Sequence, residues 1–191
     1  MSSFQLDPAK TALVMIDLQK GIVSVPTVPH SAGQVVQNSS RLAQHFREKG
    51  APVVYVRVNM ADVLPLAVDS PPRDPNAPPP PASASELVPE SGFQSGDILI
   101  TKRHWGAFAG TELEQILKER GIDTVVLTGI STNVGVESTA RQGTGLGFAF
   151  VIVEDACSAR DTDDHRYAFQ KIFPRLARVK KTEEVIDAFA R

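Results

Sequence analysis

Short apolar runs rich in β-branched residues alternate along the chain with longer segments in which apolar residues return every three or four positions. A run of the first kind reads as a strand buried on both faces, and the second as a helix covering such a strand. Strands are expected at Thr11–Ile16, Val53–Val58, 98–101, 124–127 and 148–153, with a short sixth at 177–179. Between them, 32–49 carries the apolar stripe Val35, Leu42 and Phe46 and stops at Gly50, the residue type that most readily ends a helix. Residues 111–120 repeat this logic, with Thr111 and Glu114 at capping-box spacing and Gly121 behind them. Two further helices are expected after the fourth and fifth strands, and 182–190 closes the chain. The order predicts an α/β fold: a three-layer, Rossmann-like parallel sheet with helices on both faces. All 191 residues are read as a single domain.

One segment breaks the alternation. Residues 62–96 are rich in proline, with four in a row at 78–81, so most of the stretch can be neither helix nor central strand. It reads as a long surface excursion, either a lid or binding loop or a low-complexity insertion.

Composition narrows the function classes. A net charge of -2 and a pI near 6.1 supply no basic field for phosphate backbones, so a small-molecule substrate is expected rather than nucleic acid. The single cysteine, Cys157, cannot form an internal disulfide, which fits a reducing cytoplasm. The opening MSSFQLDPAK lacks the charged-then-apolar layout of a signal peptide, and no apolar run is long enough to span a bilayer. A cytoplasmic location away from membranes is the expectation.

In open parallel sheets ligands bind beyond the carboxyl ends of the strands, so reactive groups there matter most. Asp17 follows the first strand and Lys102 the third. Asp17 is either a carboxylate activated by poor hydration beside a cation, or a helix N-cap. Lys102 is either that cation or a solvated surface lysine. The turn 129–135 (GISTNVG) leads from the fourth strand into a helix. It either aims backbone N–H groups at a developing negative charge or is an ordinary loop capped by Ser131, Thr132 or Asn133. Trp105 and Phe108 either wall a planar substrate or pack on a helix. His104 is expected at the surface or in a subunit contact. Glu137 and Arg141 suit an i,i+4 ion pair. Asp155, Arg160 and Asp161 are expected to order the loop after the fifth strand.

MIDLQ, the lysine in TKRHWGAF, TGISTNVGVESTAR and VIVEDACSARD together resemble the isochorismatase-like hydrolase family of the cysteine hydrolase superfamily. The resemblance runs from about Lys10 to Phe189 and matches the proline-rich excursion least. In its amidase members an Asp and a Lys activate a Cys. The resemblance places the first two at Asp17 and Lys102 and the third at Gly135, where a covalent thioester route is closed. It also implies a non-proline cis peptide at Ile130–Ser131, with Ile130 and Ser131 beside the substrate. Nicotinamidase members hold a metal just after the second strand. Here that stretch reads Val58-Asn59-Met60-Ala61-Asp62 without histidine, so no such metal and no cofactor are expected.

True isochorismatases also carry glycine at the cysteine position, and their aspartate protonates a vinyl ether that water then attacks. They have an aromatic residue where this chain has Ser131. The resemblance thus implies a hydrolase acting without a covalent cysteine intermediate on a small carboxylated metabolite, with Asp17 as general acid/base and Lys102 beside it. Arg57, Arg73 and Arg103 are candidates for holding the carboxylate, or ordinary solvated arginines. The alternatives are an inactive homologue that binds a metabolite or partner, and an amidase derivative that lost its nucleophile. Homo-oligomers are the family's usual state and are expected here.

Overall fold

A computed structural model describes residues 4–69 and 78–189. Six parallel strands form one sheet: β1 (Thr11–Ile16), β2 (Val53–Val58), β3 (Ile98–Lys102), β4 (Thr124–Ile130), β5 (Ala149–Ser158) and β6 (Arg178–Lys180). Their order is β3-β2-β1-β4-β5-β6. The helices are α1 (Lys20–Val23), α2 (Ala32–Glu48), α3 (Leu113–Glu119), α4 (Glu137–Gly145), α5 (Thr162–Tyr167) and α6 (Thr182–Ile186).

Every residue of β1 is buried, and its alternating side chains feed two separate cores. Leu13 and Met15 pack with Val35, Leu42 and Phe46 of α2 and Val185 of α6. Ala12, Val14 and Ile16 pack on the other face with Leu113 and Leu117 of α3 and Ala140 of α4. These are the three layers expected from the sequence. Among the described residues no helix is long and apolar enough to cross a membrane.

The structure departs from the sequence reading at several strand and helix ends. β5 runs on through Glu154 and Asp155 to Ser158, because a register shift between Leu127 and Gly129 of β4 lets the longer strand stay paired. α1 is too short to show a helical period. Thr111 does not build a capping box with Glu114. Its hydroxyl accepts from the Leu113 N–H at 3.3 Å, while Glu114 is drawn to Lys118 at 2.5 Å. α6 is capped partly from outside, since Asp155 Oδ1 accepts from the Thr182 N–H at 2.8 Å. The later half of the proline-rich excursion is tied into the body: Val88 and Ser91 are buried, and the Tyr55 hydroxyl donates to the Ser91 carbonyl at 2.7 Å. Arg47 grips Asp97 through two bonds of 2.9 and 2.7 Å. Leu64 and Leu66, earlier in the excursion, are exposed.

Chain direction reverses between β1 and β4: the chain moves outward through β2 and β3, then returns to the other side of β1. That is the switch point where open α/β sheets bind ligands. β4 approaches β1 most closely at Gly129, whose φ is 127° and where a Cβ would stand 2.2 Å from the Ile16 carbonyl oxygen. Gly129→Ala is therefore expected to destabilise the protein by at least about 3 kcal/mol in urea unfolding, since both a forbidden φ and a backbone clash arise in the central strand pair. Wild-type stability in that variant would refute this account of the β1–β4 contact.

Candidate active site

Asp17 is the first residue beyond β1 and adopts φ 55°, a left-handed conformation uncommon outside glycine. Its N–H still donates to the Val56 carbonyl at 2.8 Å, so the backbone stays in the sheet while its direction breaks. The side chain does not cap a helix. Gln19 holds the N-cap position of α1 instead. Asp17 is 6% exposed and Lys102, at the last position of β3, is 2% exposed. Lys102 Nζ donates to Asp17 Oδ2 at 2.8 Å and to the His104 carbonyl at 3.1 Å. Lys102 is thus a buried partner rather than a solvated surface lysine.

Burial is the largest influence on the Asp17 carboxyl and pushes it up to about 6, against the opposing pull of the Lys102 ammonium. Oδ2 takes the lysine, whereas Oδ1 is buried without a partner among the described residues. An unpartnered oxygen on a carboxyl titrating near neutrality is a group ready to give or take a proton.

Opposite Asp17, β4 runs into a cis peptide at Ile130–Ser131, as the family resemblance implies. A wide turn of π-helical bonding then spans Thr132–Val136 and passes into α4. The Val134 and Val136 N–H groups both donate to the Ser131 carbonyl, at 3.1 and 3.2 Å. The Ser131 side chain does not cap the turn; its hydroxyl is bonded to Asn133 Oδ1 at 3.1 Å. Gly135 is buried in this turn directly against Asp17. A Cβ there would lie 2.7 Å from Ile16 Cγ2 and 3.3 Å from Asp17 Oδ2.

These groups line a cavity of about 260 Å³ bounded by Asp17, Ile22, Ile130, Ser131, Gly135 and Arg160, among others. Asp17, Ile130, Ser131 and Gly135 are therefore brought together, with Lys102 behind Asp17. Trp105 and Phe108 are not among the lining residues. Phe108 is 7% exposed, stacked on Phe148 in the core at 5.6 Å. Trp105 is 55% exposed and lies over His104, and its carbonyl oxygen would be 3.5 Å from a Cβ at 135. A larger groove between α2 and residues 88–90 lies away from Asp17.

None of the three arginines proposed for a carboxylate lines the cavity among the described residues. Arg57 donates to Thr101 and reaches the Ser85 carbonyl. Arg103 is paired with Asp62 at 2.9 Å. Arg73 lies outside the described residues. The arginine at the cavity is Arg160, which the sequence reading treated as a loop-ordering residue. Among the described residues it makes only long bonds, to the Pro26 and Ile22 carbonyls at 3.4 and 3.5 Å. Its neighbours Asp155 and Asp161 do hold the structure together, capping α6 and α5. Position beyond the end of β5 was the available signal for Arg160.

Gln19 also escaped the sequence reading. It is fully buried, accepts from the Val58 N–H at 2.8 Å and donates to the Val58 and Ala84 carbonyls at 3.0 Å. It thereby seals the end of β2 and anchors the returning excursion beside the site.

Residues 11–184 match the model of the isochorismatase domain. An isochorismatase family protein of Escherichia coli O157:H7, YecD, is 45% identical over 96% of this chain and 98% of its own. A second, YwoC of Bacillus subtilis (strain 168), is 43% identical over 98% of each. The structure of an isochorismatase family protein from Burkholderia thailandensis superposes with a TM-score of 0.91 at 42% identity over 98% of each chain. A buried acid and lysine at the switch point of this sheet, joined to such matches over nearly the full length, place the chain in the isochorismatase family.

Proposed function

We propose that the chain hydrolyses a small carboxylated metabolite by proton transfer from Asp17, with no covalent enzyme intermediate. The observation that carries this reading is the Asp17 carboxyl, buried at the cavity wall, pushed up to about 6 and with Oδ1 unpartnered among the described residues. A group of that kind exchanges a proton readily near neutral pH. For a vinyl ether, the proton would pass from Asp17 to the terminal carbon. Lys102 then stabilises the carboxylate left behind. Water adds to the oxocarbenium carbon and returns a proton to Asp17, and the resulting hemiketal opens to a carbonyl product and an alcohol. Arg160 offers its guanidinium to the substrate carboxylate, since among the described residues it is held only by long bonds to carbonyls.

Gly135 stands where the resemblance puts the amidase nucleophile. Ile16 already fills the space a side chain would need there, which favours catalysis by proton transfer over an amidase that simply lost its cysteine. Cys157 offers no replacement: it is fully buried, and burial pushes its thiol far up.

Asp17→Asn is expected to lower turnover of carboxylated vinyl ethers by about 10²–10⁴-fold while leaving the circular dichroism spectrum intact. In the wild type, kcat should fall as pH rises above about 6, because the acid form of Asp17 is then depleted. A screen of vinyl ethers, amides and carbamoyl compounds in which neither protein turns over anything would shift the reading to a metabolite-binding homologue.

Arg160→Gln should raise KM for the carboxylated substrate by about 10- to 100-fold, the worth of a charge-assisted hydrogen bond, and leave a neutral analogue unaffected. Equal effects on both would remove Arg160 from carboxylate recognition. Gly135→Cys should gain no thiol-dependent amide hydrolysis. Rapid stoichiometric labelling of that thiol with concomitant amidase activity would instead establish the lost-nucleophile alternative.

Lys102→Met leaves the Asp17 carboxyl buried without its cation. A carboxyl whose folded-state value is raised contributes its stability at low pH and loses it as pH rises through that value, and removing Lys102 raises it further. The variant should be about 3–5 kcal/mol less stable than wild type at pH 8, with the gap narrowing at pH 5, in paired denaturant titrations. A gap independent of pH would mean that lost packing, not the charge, sets the cost.

A further inference from the structure

Behind the cavity wall, three residues far apart in sequence meet at one point. His30 Nε2 lies 2.9 Å from Glu154 Oε1, and His165 Nε2 lies 3.3 Å from the same oxygen. All three ligand-type atoms fall within 4.8 Å of one another. We propose that His30, Glu154 and His165 bind a divalent transition-metal cation of zinc's class.

The donor set fits that class. Two imidazole nitrogens and one carboxylate oxygen suit zinc and its neighbours, whereas magnesium and calcium favour oxygen ligands alone. The spacing fits as well. Ligands about 2.0–2.1 Å from a tetrahedral zinc lie about 3.3–3.4 Å apart. The two nitrogens stand 2.9 and 3.3 Å from the carboxylate oxygen and within 4.8 Å of each other, so an ion needs side-chain shifts of at most about 1.5 Å. Solvent reaches the cluster, since the His30 and Glu154 side chains retain 19% and 27% exposure while His165 has 5%.

Hydrogen bonds from outside the cluster hold the residues that carry these ligands in place. His165 Nδ1 is bonded to Thr132 Oγ1 at 2.9 Å, which fixes the ring with Nε2 turned inward. The His30 carbonyl accepts from the Thr27 and Ser158 hydroxyls at 2.8 and 2.7 Å. Glu154 presents the single oxygen Oε1 to both rings. This geometry would also be satisfied by protons alone, a carboxylate shared between two imidazole N–H donors. The metal differs in requiring both Nε2 atoms as acceptors, which binding measurements detect directly.

An ion there would pin three pieces that border the cavity. Residues 27–30 adjoin Pro26, whose carbonyl touches Arg160. Thr132 opens the turn carrying Gly135, and Asp164, next to His165, lines the cavity and is bonded to Asn133 at 2.8 Å. The role is therefore structural support of the site, independent of the reaction performed in it.

The test is zinc chloride titrated into the full chain after chelator treatment, followed by calorimetry and by equilibrium dialysis with metal analysis. One equivalent per chain is expected, with magnesium chloride giving none. His30→Ala and Glu154→Gln, both at partly exposed positions, should each weaken zinc binding by at least about tenfold while retaining the fold by circular dichroism. Cobalt(II) should give the visible absorption of a tetrahedral site in the wild type and lose it in both variants. Absence of stoichiometric zinc, or zinc bound equally well by the two variants, overturns the site. Because the readout is the metal, the result stands apart from any outcome of the hydrolysis assays.

Discussion

The Asp17–Lys102 contact is the constraint around which this site is arranged. Burying a carboxylate and an ammonium group removes water from both, and their attraction offsets that loss only when geometry holds them close. Here the two come from strands that are not neighbours, since β2 lies between β1 and β3. At a strand spacing of about 4.8 Å, the backbones are about 9–10 Å apart, a gap that only a long side chain can bridge. Lys102 lies opposite Val58 in register, so it extends past the carboxyl end of β2 to reach Asp17. Gln19 closes that same end of β2 by bonding both backbone groups of Val58. The ion pair is thereby enclosed on the side of β2 while Asp17 remains open towards the cavity.

Backbone geometry on the opposite side follows from the same requirement. Asp17 must leave the line of β1 at once, and its positive φ accomplishes this while its N–H stays bonded to β2. β4 must then come close enough to β1 for the turn after it to face the carboxyl. Gly129 permits the approach by lacking a Cβ against Ile16, and Gly135 permits it again one turn later. Ile16 is shared by both contacts, through its backbone at Gly129 and its side chain at Gly135. The two glycines have different consequences: one lets strands touch, and the other leaves the position beside Asp17 without a side chain.

Much of this was legible in the sequence because it depends on local pattern. The apolar runs locate strands whose alternate residues must face two cores, and Asp17, Lys102 and 129–135 are legible as strand ends. Features created by contact between distant segments were not legible. Glu154 and Asp155 look like the end of a strand, yet pairing across the Gly129 irregularity carries β5 on to Ser158. That continuation is what delivers Arg160 to the cavity. Phe108 follows Lys102 closely and seemed suited to a substrate wall, but Phe148 gives it a fully apolar partner, and burial there is the stronger attraction. The proline-rich segment resisted reading for the same reason: its later half is fixed by Gln19, Tyr55 and Arg47, none of which lies within it.

The extension of β5 also explains why two chemically distinct clusters share one wall. Side chains alternate along a strand, but the stretch of β5 from Ile152 to Cys157 runs against only Leu127 to Gly129 of β4, and the extra residues shift the alternation of β5. Glu154 meets His30 and His165, and Cys157, which a regular strand would turn away from Ile152, instead shares its apolar core with Val136 and Ala140. Thr132 and Asn133 connect the two regions, one bonded to His165 and the other to Asp164. The turn that brings Gly135 against Asp17 is thus held by side chains of α5: His165 grips Thr132 away from Asp17, and Asp164 grips Asn133 at the cavity wall. The position of Gly135 against Asp17 is therefore set by bonds made at Thr132 and Asn133, not by anything glycine itself contributes beyond its missing Cβ.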